Sequence, residues 1–277
     1  CCCSSVRVLL RPTDRGKNMA VQLRQICLVA ADLRPVIDDL TWILGINTCY
    51  IDPDVAYFGL ENTLMPIGRN FLEVVAPVKE NTTAGRYLER RSGNGGYMVI
   101  CQADSRQTQG AVRQRALENG VRVAYELDRD NWGICQLHPA DMTASFFEID
   151  WDSTHDFDGN WHPAGGSGWE GEVKQDVTVD YAGVELQSDD PGALAQLWSR
   201  VSGIALDNNG GDLCLPLNNV NLRFVEAVDG RGAGLSGIDL VVNNRQHILA
   251  AARERGCYVS DHVVSICGTF FYLQDAG

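Results

Sequence analysis

One unit of local signals is written four times along this chain, and that repetition limits the fold more than any single segment does. Each copy runs from a β-like stretch through an Asp or Asn suited to capping a helix, an amphipathic helix and a terminating Gly, and then into further short strands. In the first copy, Gln25 to Ala31 is followed by Asp32, by Pro35 near the first helical turn, by Leu33, Val36, Ile37, Leu40 and Ile43 at helical spacing, and by Gly45. The second runs from Tyr97 through Asp104 to Gly120, the third from Val184 through Asp189 or Asp190 to Gly203, and the fourth from Ile238 through Asn243 to Gly256. The cap-to-Gly separations are 13, 16, 14 and 13 residues (32 to 45, 104 to 120, 189 to 203, 243 to 256). Strand-like runs follow each Gly: Thr48 to Ile51, Ala56 to Leu60 and Asn70 to Val75 in the first copy; Val121 to Leu127, Gly133 to Leu137 and Ser145 to Trp151 in the second.

Each module therefore reads βαβββ, with too many strands per helix for a doubly wound parallel sheet. The expected class is α+β: four modules paired in sequence order into two domains, with curved mixed sheets and helices outside. The domains fall at 20–152 and 179–277. The connector 153–178 carries Trp161 and Trp169, which would be costly to leave in water, so it reads as an ordered loop and not a flexible linker. Residues 1–19 contrast in charge with the rest and open on three cysteines, and are expected to be an extension outside the fold, with Met19 as the natural start.

Composition narrows the partners. The 277 residues are 45% apolar, which supports a real core and excludes disorder. A net charge of −13 without an offsetting basic cluster disfavours nucleic acid and anionic lipid. No apolar run reaches the roughly 18 residues of a membrane span. Beyond residue 19 the cysteines are scattered and odd in number, without the close pairs of a zinc or disulfide framework, which points to a reducing, cytoplasmic compartment. Asn94-Gly95-Gly96 and Asn209-Gly210-Gly211 precede strands and do not open helices, so they read as turns, not phosphate loops.

Two carboxylates stand out. Glu73 lies in Phe71-Leu72-Glu73-Val74-Val75 and Glu148 in Phe146-Phe147-Glu148-Ile149, each inside an apolar strand at the end of its module. Burying a carboxylate there is expensive unless it is paired, protonated or on a metal. The period of two places Gln25 with Cys27 and Val29, and Glu73 with Phe71 and Val75, on single strand faces, so that the two carboxylates point into a common concavity. Backbone N–H groups or an Arg from a neighbouring strand would hold them equally well.

Tandem βαβββ modules with these residues resemble the vicinal oxygen chelate superfamily, which includes glyoxalase I, bleomycin-resistance proteins, extradiol dioxygenases and several epimerases. The resemblance implies two glyoxalase-like domains, with metal ligands on the first and last strand of each module. Carried over, it assigns Gln25, Glu73 and Glu148 as ligands, and places Tyr97 where the family usually has His. That set of oxygens suits Mg, Mn or Fe(II) better than Zn. A phenol of pKa about 10 is a poor ligand but donates a hydrogen bond to substrate, so Tyr97 is read as a pocket residue, as is His138 in a His-Pro-x-Asp turn that it would otherwise only stabilise. The implied activity is that of a metal-dependent lyase or isomerase acting on a small oxygenated metabolite by bidentate chelation and proton transfer. Glu73 and Glu148 are its catalytic candidates, with Glu148 preferred as base. The alternative is a non-catalytic small-molecule binder of the bleomycin-resistance type. The second domain, with Tyr181 or Ala182, Arg223 or Phe224, Gly237 and Tyr272 at the matching places, cannot chelate a metal and reads as a degenerate copy. His155 and His162 fall in the connector, where they fit a lid over the cup or a packed joint. His247 and His262 read as structural.

Overall fold

The structure is a computed structural model that describes residues 21–163, 167–208, 211 and 213–277. The expected extension 1–19, and Asn209 and Gly210 of the second Gly-rich turn, lie outside the described residues. Module one comprises β1 (Val21–Val29), α1 (Leu33–Leu44), β2 (Leu60–Ile67) and β3 (Asn70–Pro77), and is followed by a connecting helix α2 (Thr83–Arg91). Module two comprises β4 (Gly95–Ala103), α3 (Arg106–Glu118), β5 (Val123–Asp128), β6 (Trp132–Leu137), a single turn α4 (Pro139–Met142) and β7 (Phe146–Asp152). Module three contains β8 (Thr178–Ser188), α5 (Pro191–Ser202), β9 (Leu213–Pro216) and β10 (Asn221–Glu226). Module four contains β11 (Gly234–Val242), α6 (Arg245–Arg255), β12 (Tyr258–Ser260), β13 (Val263–Ile266) and β14 (Thr269–Asp275).

In every module the first and last strands run parallel: β1 with β3, β4 with β7, β8 with β10 and β11 with β14. The first strands then pair antiparallel, β1 with β4 and β8 with β11, which joins adjacent modules. Two runs result, β2-β3-β1-β4-β7-β6-β5 and β9-β10-β8-β11-β14-β13-β12. A contact between β4 and β11, with Leu235 opposite Gly96, merges them into one 14-stranded mixed sheet.

The helices explain which sheet face is which. Asp32 caps α1 by accepting from the Arg34 N–H at 3.2 Å, and Gly45 ends it in the left-handed region at φ 65°. Asp190 and Gly203 do the same for α5. At α3 and α6 the caps are Ser105 and Asn244, one residue beyond Asp104 and Asn243, because Ser105 Oγ and Asn244 Oδ1 reach the N–H groups of Thr108 and His247. Helix α1 packs on α6 and α3 on α5. The apolar residues between helices and sheet, among them Ile26, Leu28, Leu40, Trp198, Ile238 and Ile248, form one continuous core spanning both halves. Alternate residues of β1, Cys27 and Val29, face the other way, where Phe71, Val75, Tyr97 and Phe146 line the concave side.

Two details depart from the expected modules. The stretch Ala56 to Leu60 is not a strand: Pro53–Phe58 is a 3₁₀ turn, opened by Asp52 accepting from the Asp54 N–H at 2.9 Å with Pro53 following the cap. The strand is β2 instead, further along, and the odd modules carry only two strands after the helix. Pro66 argues against a strand there, yet β2 is a sheet edge, where a missing N–H costs nothing.

The join between the halves depends on glycine. A Cβ at Gly96 would lie 2.6 Å from the Leu235 carbonyl oxygen and closer still to its side chain. Gly96→Ala should therefore destabilise by about 1–3 kcal/mol, read as a lowered urea midpoint. An unchanged midpoint would mean that β4 and β11 do not meet.

Candidate functional site

Gln25, Glu73, Tyr97, His138 and Glu148 all line one cavity of about 850 Å³ on the concave face of the first seven strands. Residues far apart in sequence meet here because the first and last strands of both modules are neighbours, so β1, β3, β4 and β7 form the cup's centre. Register fixes the equivalences. Cys27 faces Glu73 across β1 and β3, and Ile100 faces Glu148 across β4 and β7. The antiparallel pairing of β1 with β4 sets Gln25 opposite Ile100 and Cys27 opposite Met98. Hence Met98, not Tyr97, is the two-fold mate of Gln25. A register shift between Cys27 and Leu28 turns Tyr97 into the cup beside Met98, where its ring lies 5.0 Å from Tyr87 and 5.1 Å from Phe146.

Among the described residues Glu73 is held by side-chain amides, and neither a backbone N–H group nor an arginine bonds it. Gln25 Nε2 donates to Oε2 at 2.8 Å and Asn62 Nδ2 donates to Oε1 at 2.6 Å. Burial pushes the Glu73 carboxyl above its ordinary range, while the amide donors and the Cys27 thiol oppose that. Glu148 is 5% exposed, with Oε2 lacking a hydrogen-bond partner. Burial, assisted by the charge of Glu73, drives its pKa up to about 7 against the hydrogen bonds of Asp150 and Gln136. Asp150, also fully buried on the same strand face, is raised by its own burial and by the negative charge of Glu148. Asn62 and Asp150 went unnoticed in the sequence, though Asp150 stands two residues from Glu148 and so shares its face.

His138 Nδ1 accepts the Ala140 N–H at 3.2 Å, and the residue lines the cavity. His162 lines it too, with Nδ1 3.6 Å from Asp152, whereas His155 turns to the Asp104 carbonyl at 2.7 Å. The connector closes one end of the cup. Trp161 and Trp169 are buried against Phe71, with centroids at 6.5 and 5.1 Å. The fully buried Arg24 guanidinium lies 5.3 Å from the Trp161 ring and donates to the carbonyls of Phe157 and Gly159. His247 Nε2 lies 3.1 Å from the Trp42 carbonyl and His262 Nδ1 2.8 Å from Arg245, both away from the first cup.

Among the described residues no three His, Cys, Asp or Glu converge as a metal site; the convergence is two carboxylates and one amide. Gln25 Oε1 and Glu148 Oε2 are buried without a hydrogen-bond partner, and with Glu73 they give a hard oxygen set on residues that line the cavity. These donors fit a hard divalent cation that fills its remaining positions with water or ligand oxygens. The Met98 thioether adds nothing for such an ion.

The second concavity is closed by its own charges. The register matches Arg223 to Glu73, Tyr272 to Glu148, Gly237 to Met98 and Gly183 to Gln25. Arg223 ion-pairs with Glu185 at 2.9 Å and Asp239 at 2.6 Å, and the Tyr272 hydroxyl donates to Glu185 at 2.9 Å. Glu185 and Asp239 carry this arrangement and were missed in the sequence, since their strands read as ordinary apolar runs.

A sequence profile described as a glyoxalase-like domain matches residues 25–202. No curated protein matches the chain. Among solved structures, a hypothetical protein from Staphylococcus aureus aligns with a TM-score of 0.62 at 12% identity, over 92% of this chain and 100% of that one. A variant of 4-hydroxymandelate synthase from Streptomyces coelicolor aligns with a TM-score of 0.61 at 13% identity, over 87% and 76%. Methylmalonyl-CoA epimerase from Mycobacterium tuberculosis aligns with 53% of this chain and 94% of its own at 21% identity and a TM-score of 0.41. The profile match over residues 25–202, in a chain of repeated modules whose first and last strands run parallel, shows that the chain belongs to the glyoxalase-like domain family.

Proposed function

We propose that the first cup is the active site of a lyase or isomerase that moves a proton on a small oxygenated metabolite. The observation that carries this reading is Glu148: a buried carboxyl with one unpartnered oxygen, facing a ligand-sized cavity that also holds Glu73. Gln25, Glu73 and Glu148 would hold Mg, Mn or Fe(II). When bound, such a cation lowers the cost of negative charge developing on a substrate oxygen. Gln25 and Asn62 fix the Glu73 carboxylate in one orientation. Glu148 accepts the proton from the substrate carbon and returns it at the adjacent position. Tyr97 and His138 border the substrate, and the packed Trp161 and Trp169 keep water from one end of the cup.

Elemental analysis after incubation with Mn, Fe(II), Ni and Zn tests this reading. About one metal per chain is expected, falling at least tenfold in Glu73→Gln and Glu148→Gln. Metal-free wild-type protein, or variants that change neither metal content nor turnover, would move the assignment to a binding protein that sequesters its ligand. Met98 favours that second reading, because it leaves the fourth ligand position without an oxygen or imidazole donor.

A further inference from the structure

The mouth of the same cavity is lined by Arg86, Arg90 and Arg129, in a chain whose net charge is −13. Several other arginines are ion-paired, among them Arg34 with Asp38, Arg113 with Glu126 and Arg122 with Asp141, at 2.7 to 2.9 Å, whereas the exposed Arg69 and Arg200 meet Trp169 and Asn119 and line no described cavity. Among the described residues, the three at the mouth have no carboxylate partner. Arg86 and Arg90 sit one turn apart on α2 and so face the same way. Arg86 is held in place by donating to the Asn81 carbonyl at 2.6 Å and to Thr83 Oγ1 at 3.1 Å, and the Arg90 guanidinium lies 5.3 Å from the Tyr87 ring. Asp52 and Asp54 line the cavity as well, but Asp52 is engaged in capping the Asp54 N–H at 2.9 Å. The lining is also rich in aromatic rings, among them Tyr50, Phe58, Tyr87, Tyr97 and Phe146.

We infer that the cup takes an anionic molecule, with a small apolar or aromatic body and a carboxylate or phosphate group held by Arg86, Arg90 and Arg129. This rests on the reading of the first cup as the ligand site. Guanidinium groups present paired donors that match either anion, and these three keep those donors free of the carboxylates Asp52, Asp54, Glu73 and Glu148 that share the lining. The distance from mouth to floor then orients the molecule, with the charged end outward and the reacting carbon toward Glu148.

Calorimetric titration of the full chain with phenylpyruvate, phenyl phosphate and the uncharged methyl ester of phenylpyruvate tests this. At least one anion should bind ten or more times tighter than the ester, and raising the salt should weaken that anion alone. The better anion tells a carboxylate from a phosphate ligand. The combined Arg86→Gln, Arg90→Gln and Arg129→Gln variant should lose the preference, while Glu73→Gln and Glu148→Gln keep it. Loss of metal or turnover in those Glu variants therefore bears on the catalytic reading, and the anion preference bears on this one. Binding of all three probes within threefold of each other, failure of every probe to bind, or a preference that survives the triple arginine change overturns the inference.

Discussion

Replacing Glu148 with Gln should make the metal-free protein more stable at pH 8 than the wild type, by up to about 3 kcal/mol. The carboxyl has an ordinary value of 4.5 and is raised to about 7 in the fold, mainly by loss of water. Between those values the native state keeps a proton that the unfolded chain has released. Stability is thus full below pH 4.5 and falls as pH rises through 7. Gln carries no charge to desolvate and still meets the Gln136 amide, so its urea midpoint should fall less steeply across the same window, the remaining slope coming from Glu73 and Asp150. Adding a divalent cation to the wild type should restore much of the loss above pH 7, since a cation bound only by the folded state stabilises it by about 2.7 kcal/mol at a hundredfold excess over Kd. A wild-type curve no steeper than that of the variant would show that Glu148 titrates as an exposed carboxyl.

The second large effect lies in the other half. Arg223→Ala should cost about 3–5 kcal/mol, because it leaves Glu185 and Asp239 as buried charges without their cation. Arg223 is 4% exposed, Glu185 5% and Asp239 3%, so water cannot replace the lost donors. Changing Arg223, Glu185 and Asp239 together to Met, Leu and Leu, with Tyr272→Phe, should return stability to within about 1–2 kcal/mol of wild type. The comparison separates the worth of the charges from the harm of breaking them up. Denaturant unfolding measures both variants, and a cost below 1 kcal/mol for Arg223→Ala would mean that the cluster is hydrated.

The contrast between the two concavities explains what could be read in advance. The four-fold pattern of cap, helix and glycine was visible because capping chemistry and helical period are local, and pairing of adjacent modules follows from it. Glu73 and Glu148 were visible because a carboxylate amid Phe and Val breaks a local rule. Met98 was hidden: a bulge in β4 moves the strand register by one residue, and bulges leave little trace in sequence. The Arg223 cluster was hidden for a different reason. Glu185 and Asp239 are each unremarkable in their own strand, and their meaning appears only when β8, β10 and β11 lie side by side. Helix α2 escaped because it buries only Ala84, Tyr87 and Arg91, too few positions to mark a helical face.

The tryptophan-bearing connector has a consequence for where the protein can be cut. It follows β7, yet Phe71 on β3 and Arg24 on β1 depend on it for cover and for hydrogen-bond acceptors. A fragment ending at Asp152 would hold Gln25, Glu73, Tyr97, His138 and Glu148, yet it would lose His162 from the lining and leave Phe71 and Arg24 uncovered. The smallest autonomous piece carrying that cup must extend past Trp169, so the boundary between the two halves, as a matter of excision, belongs after the connector and not before it.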